Sequence, residues 1–181
     1  MKKSESIKGV RIFDDLIDAE LEEIAKICHE KKFWKGDMVI KQGEKDASIN
    51  ILVDGALHTE VEIPGFKDIV PVHTLEPKEI FGELAFLGGI PRSATVRCLS
   101  TAKVLVLERA KFNKLGEKNP NIERIVMRNL AVILSERLRN TTMELRDAVS
   151  KLPSRVVSRK AKSILSDLSE WIGSIECIAR I

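Results

Sequence analysis

The sequence predicts a mainly β protein with flanking helices, its short strands closing into a sandwich or a roll. Three observations carry that expectation. Between Phe33 and Leu107 the chain is a series of short β-type runs: MVI, SINILV, ALHTEVEI, IVPVHTL, SATVRC and AKVLVL. Turn signals separate them, at Lys35-Gly36, Gln42-Gly43, Asp54-Gly55 and Pro64-Gly65. On both sides of this region the apolar residues recur with the period of a helix instead.

The first helix is expected from Asp15 to about Glu30, where Leu16, Ile17, Leu21, Ile24, Ala25 and Cys28 fall at helical spacing with acids between them. After Glu108 the period lengthens again into a short helix and then a long one. Asn119 is placed as a cap, Pro120 suits the first helical position, and Pro153 ends the run. Met127, Ala131, Leu134, Leu138, Thr141, Leu145, Ala148 and Leu152 follow the alternating four-three spacing of a heptad seam. Such a seam faces another helix, and a two-fold partner is the economical candidate. A second stripe, Ile122, Val126, Leu130 and Ile133, is placed to cover the β region. The tail from Ser154 to Ile181 carries Val157, Ala161, Ile164, Leu168, Trp171 and Ile175 on one helical face. The organisation expected is therefore a β domain with its N-terminal helix over residues 1–118, a long helix over 119–152 and a helical tail over 153–181.

Composition excludes several classes. A chain of 181 residues, 44% hydrophobic and 31% charged, is long enough to bury a real core and is neither disordered nor fibrous. No apolar run approaches membrane-spanning length and the start has no signal-peptide core, so a cytoplasmic protein without membrane contact is expected. Cys28, Cys98 and Cys177 are widely separated, with no metal or redox spacing. His29, His58 and His73 are isolated, and no nucleophile sits beside a candidate base, so neither a metal, a cofactor nor catalysis is expected. The net charge of +3 is too small to argue for nucleic acid. Five basic residues without an acid between Lys151 and Lys162 read as a solvated helix face before they read as a DNA contact.

The segment that asks for a function is FGELAFLGGIPRSATVRC, Phe81 to Cys98. It sets one acid, Glu83, and one base, Arg92, inside an apolar stretch. Pro91 starts an extended run in which Arg92 is in phase with Ala94, Val96 and Cys98, while Ser93, Thr95 and Arg97 point the other way. An inward arginine needs an anion, because burying an unpaired guanidinium costs on the order of several kcal/mol. Either Glu83 supplies that anion or a ligand does. Gly82 permits close backbone approach, and Glu83-Leu84-Ala85-Phe86-Leu87 has the composition of a short helix. Its first amides and the fork of Arg92 would together suit a phosphate.

The same segment closely resembles the phosphate-binding cassette of cyclic-nucleotide-binding domains: Phe-Gly-Glu, a small apolar helix, then Arg, a small residue and Ala-Thr-Val. The resemblance extends upstream through IFDDLIDAELEEIAKI and FWKGDMVIKQGEKDASINILVDG, and covers about residues 12 to 150. It implies a jelly-roll-like double-stranded β-helix, with a short phosphate-binding helix and a long C-terminal dimerisation helix. It also implies that Arg92 holds the cyclic phosphate, Glu83 the ribose 2′-hydroxyl, and the amides around Gly82, Leu84 and Ala85 the rest of the cradle. Ser93 stands where relatives of the catabolite activator protein place a serine on the phosphate and many cGMP-binding relatives a threonine. LRNTTMEL resembles the stretch in which that branch reads adenine across a dimer interface, which would assign Thr141 and Thr142 to the base.

The function implied is a dimeric cAMP sensor, with cGMP as the other ligand, acting on a protein effector that the sequence leaves unidentified. The alternative is a transcriptional regulator of the catabolite-activator type with a missing or unusual DNA-binding domain, since only about 30 residues follow the long helix and they carry no recognition-helix pattern. A third expectation, a fold that has given up its ligand and serves as an interaction module, is disfavoured by the presence of both Glu83 and Arg92.

Overall fold

The computed structural model of the chain describes residues 2–62 and 70–151. Two four-stranded antiparallel sheets form the centre, as the turn-punctuated runs predict. In chain order the strands are β1 (His29–Phe33), β2 (Met38–Ile40), β3 (Ser48–Asp54), β4 (Leu57–Val61), β5 (Val70–Leu75), β6 (Ile80–Phe81), β7 (Thr95–Cys98) and β8 (Ala102–Glu108). One sheet runs β1-β8-β3-β6 and the other β2-β7-β4-β5. The helices are α1 (Lys3–Ile7), α2 (Asp18–Ile27), α3 (Glu83–Gly88), α4 (Arg109–Lys118) and α5 (Pro120–Ser150), with a 3₁₀ turn at Arg11–Phe13.

The two faces of β3 explain why the roll closes. Successive side chains on a strand alternate sides, and residues paired across antiparallel strands share a side. Ile49 and Ile51, both fully buried, pair with Leu107 and Leu105. Leu52, on the other face, joins Leu57, Leu75, Phe81, Val96, Val104 and Val106 in a core drawn from both sheets. Each such side chain contributes about 2 kcal/mol when removed from water. This second face of β3 therefore looks into the roll.

The N-terminal helix is shorter than its periodicity predicts. Asp15 takes a left-handed φ of 70°, and α2 begins only at Asp18, where the Glu20 carboxylate accepts the Ile17 N–H at 3.1 Å. The far end stops at Ile27 because Cys28 is extended and HEKKF then pairs with β8 as an edge strand. Four of those five residues are polar, so the run reads as the end of a charged helix. Its strand character comes from its neighbour, and the charges suit an exposed edge.

The chain divides into two compact units, residues 1–130 and 131–181. In the first, α5 starts at Pro120, as predicted, and buries Ile122, Val126 and Leu130. Asn129 Nδ2 donates to the carbonyls of Ile12 (3.3 Å) and Asp14 (2.7 Å), and Asn121 Nδ2 donates to Glu20 (2.8 Å). These ties run to the N-terminal layer. The described part of the second unit is the rest of α5. There the predicted seam is open: Ala131, Thr141 and Ala148 are exposed, with Leu138 at 37% and Leu145 at 44%. The basic run beyond Lys151, the end of the seam at Leu152 and the stripe of the tail lie outside the described residues. No described helix is long and apolar enough to cross a membrane.

Candidate functional site

Arg92 is the centre of the site; it is buried as expected, but it precedes β7, which begins at Thr95 after a bend at Ser93 and Ala94, so strand alternation does not set its direction. Its side chain is 2% exposed. The backbone is held from both sides by the turn at Gly43: Arg92 N–H donates to the Glu44 carbonyl and the Gly43 N–H donates to the Arg92 carbonyl, each at 2.9 Å. Pro91 and β7 fix the strand that follows.

The guanidinium makes four hydrogen bonds. Nη1 donates to the carbonyls of Ser48 (2.8 Å) and Gly82 (2.9 Å). Nη2 donates to Asp46 Oδ2 and to Ser48 Oγ, both at 2.8 Å. Nε, equally buried, has no partner among the described residues. Five N–H groups in a rigid fork thus have four protein acceptors, and the fifth still needs one.

The anion that the sequence required is therefore present in part, and it is Asp46. Its carboxylate, 57% exposed, also accepts the Ser48 N–H at 2.9 Å and the Ser48 hydroxyl at 3.1 Å. Burial works against the charged form. The hydrogen bond and charge of Arg92, with the two bonds from Ser48, outweigh it and hold the carboxyl below its ordinary value of 3.8. Neither Asp46 nor Ser48 was among the residues that the sequence singled out. The available signal was the Asp-x-Ser spacing, which suits a local side-chain turn ahead of a strand.

Gly82 is fixed by the same arginine. It takes a φ of 80°, and a Cβ there would overlap Arg92 Nη1. A residue without a side chain satisfies both constraints. Directly after it, Glu83 opens α3 and is buried to 9% exposure. The first bond of the helix runs from the Phe86 N–H to the Gly82 carbonyl at 3.2 Å, so the amides of Glu83, Leu84 and Ala85 precede the helical ladder. Phe86 anchors the helix against Phe112 with ring centroids 5.5 Å apart, and Arg109 caps its far end through the Leu87 carbonyl at 2.8 Å. Leu84 is 42% exposed, and Ser93, in the bend that follows Arg92, is exposed.

Gly82, Glu83, Leu84, Ala85, Arg92 and Ser93 thus lie in the first unit. Thr141 and Thr142 belong to the second. Thr141 is exposed, whereas Thr142 is buried and its hydroxyl donates to the Leu138 carbonyl one turn back at 2.8 Å. Of the pair, Thr141 is the exposed residue.

Comparison with known proteins identifies the family and the fold. The model of the cyclic nucleotide-binding domain family matches residues 30–119. The chain is 29% identical over 114 residues to cGMP-dependent protein kinase isozyme 2 of Drosophila melanogaster, covering 62% of this chain and 12% of that protein. It is 30% identical over 113 residues to the cAMP-dependent protein kinase regulatory subunit of Dictyostelium discoideum, covering 61% and 35%. The chain thus spans about a third or less of these relatives' length. Among solved structures, the catabolite activator protein of Thermus thermophilus superposes with a TM-score of 0.68 at 25% identity, over 77% of this chain and 63% of that one.

Proposed function

This chain belongs, through residues 30–119, to the cyclic nucleotide-binding domain family, and on that premise we propose that it is a dimeric cAMP sensor. The observation that carries the reading is Arg92: a buried guanidinium with one N–H unpaired among the described residues, beside a short helix whose leading amides precede its ladder. The cyclic phosphate takes the Nε edge of the arginine together with the amides of Glu83, Leu84 and Ala85. A bidentate fork on that edge uses Nε and one Nη2 N–H, so Asp46 or Ser48 gives way as the phosphate arrives. Glu83, at the first helical position, accepts the ribose 2′-hydroxyl. Gly82 lets the backbone come close, and Ser93 lines the phosphate end.

Thr141 reads adenine, and Thr142 supports that turn of α5. The open stripe of Leu138, Thr141 and Leu145 meets the same stripe of a second copy, and coiled-coil seams of this type bury such residues in pairs. Ligand binding acts as a population shift: the nucleotide favours one position of the long helix by its differential contacts, and the tail passes that position to a protein effector. The setting is cytoplasmic, and no catalytic step is involved.

The test is isothermal titration calorimetry with cAMP and, separately, cGMP, using Arg92→Ala and Arg92→Lys as controls. The expected result is cAMP binding that Arg92→Ala abolishes and Arg92→Lys weakens, because lysine keeps the charge and loses the fork. Absence of binding of both nucleotides to the folded wild-type protein overturns the reading.

A further inference from the structure

Asn50 is the polar residue in the interior of the roll that the site described so far does not use. It is 4% exposed, and its amide nitrogen has no hydrogen-bond partner among the described residues. Its direction is fixed from three sides. Asn50 pairs across the sheet with Val106 of β8 and Phe81 of β6, and both belong to the core inside the roll. Along β3 it shares a face with Ser48, two residues earlier, whose hydroxyl is bonded to Arg92. The register is regular from Ser48 to Leu52, so this face does not turn away.

Arg92 Nε and Asn50 Nδ2, both without a partner among the described residues, are linked through Ser48, whose hydroxyl accepts from the Arg92 guanidinium and which shares the inward face of β3 with Asn50. Two residues along a strand place Asn50 about 7 Å beyond Ser48. Both donors need an acceptor, and an apolar side chain such as Leu52 fills the next inward position without raising the need. Resting on the cyclic-nucleotide reading above, we infer that Asn50 donates a hydrogen bond to an oxygen of the ligand's sugar-phosphate, as a contact contributed by β3 and not by the helix and strand that carry Glu83 and Arg92.

The deciding experiment is calorimetric titration of the full chain with cAMP and with cGMP for wild type, Asn50→Leu and Asn50→Ala, with thermal unfolding of each protein in the absence of nucleotide. Leucine matches the size of asparagine and removes the unpaired amide, so the unliganded protein unfolds at the same temperature or higher. Affinity is expected to fall about tenfold in both variants, the equivalent of one hydrogen bond to a charged ligand. The loss is equal for the two nucleotides, because they share the sugar-phosphate. The alanine variant repeats the measurement if leucine does not fold. Wild-type affinity in the variants overturns the inference and leaves Asn50 as an unpaired core amide, while a loss confined to one nucleotide moves the contact to the base and overturns it as well. Wild-type protein that binds neither nucleotide removes the premise, and the inference with it.

Discussion

On the proposed function Asp46 shares Arg92 with the incoming phosphate, so removing its charge should tighten binding while weakening the unliganded fold. The substitution is Asp46→Asn, which keeps an oxygen for the Ser48 N–H now bonded to Oδ1 at 2.9 Å. What it removes is the ion pair at 2.8 Å between Arg92 Nη2 and Oδ2. A hydrogen bond to a charged group contributes about 1.5–3 kcal/mol and a surface pair about 0–1 kcal/mol. Arg92 is buried but the Asp46 side chain is 57% exposed, which places the pair near the boundary of those ranges, at about 1 kcal/mol. The unliganded protein should then melt about 2–4 °C lower. The same interaction opposes the incoming phosphate, so cAMP should bind about fivefold more tightly. Scanning calorimetry of the unliganded protein and titration calorimetry with cAMP measure the two numbers. Weaker binding in Asp46→Asn refutes the competition and makes Asp46 a residue that positions Arg92; no change in either number removes the ion pair from the site's energetics.

Other consequences of the geometry are equally direct. Gly82→Ala should destabilise the fold by about 2–3 kcal/mol in urea titration and abolish nucleotide binding, because the left-handed φ and the overlap with Arg92 act together. Thr141→Ala should leave stability within about 0.5 kcal/mol, as the side chain is exposed, but reduce the cAMP-over-cGMP affinity ratio about tenfold; an unchanged ratio excludes the threonine from base recognition. Stability should also fall on acidification. Asp46 is held below its ordinary range, and so is Glu60, where burial opposes the charge but hydrogen bonds from His58 and Arg97 prevail. A carboxyl with a depressed folded-state pKa stabilises the fold above its unfolded value and loses that contribution as pH falls through the folded one. Melting temperature should therefore drop below about pH 4, with a shallower decline in Asp46→Asn than in wild type.

The parts legible in the sequence were those written in one contiguous stretch. The burial expected of Arg92 agrees with its exposure of 4%, although the alternating run read from Pro91 is broken by a bend at Ser93 and Ala94 and the strand begins only at Thr95. The start of α5 at Pro120 was set by the proline itself. What escaped detection depends on partners far along the chain. Asp46 and Ser48 meet Arg92, more than 40 residues later, and β3 lies beside β6 and β8, some 30 to 60 residues later; no local pattern encodes that adjacency. Likewise β1 is a strand by virtue of β8, since HEKKF lacks the β-branched alternation that would announce it. The two residues of β6 are too few to carry any period. The expected Glu83–Arg92 relation was similarly read from neighbours in sequence, whereas the ion pair of Arg92 with Asp46 comes from the loop before β3.

The four bonds made by the Arg92 terminal nitrogens tie Arg92 to two separated pieces of chain: residues 46–48, which lead into β3, and Gly82, the residue before α3. Such an arginine is also a strut. A descendant that had given up nucleotides would still be held to this residue by the integrity of its own roll, so its persistence through a lineage reports on architecture before it reports on ligand. The expectation that a non-binding module has no reason to retain an inward arginine therefore fails on structural grounds. On the proposed function the atom left for the nucleotide is Nε, because the terminal nitrogens are already engaged by the fold.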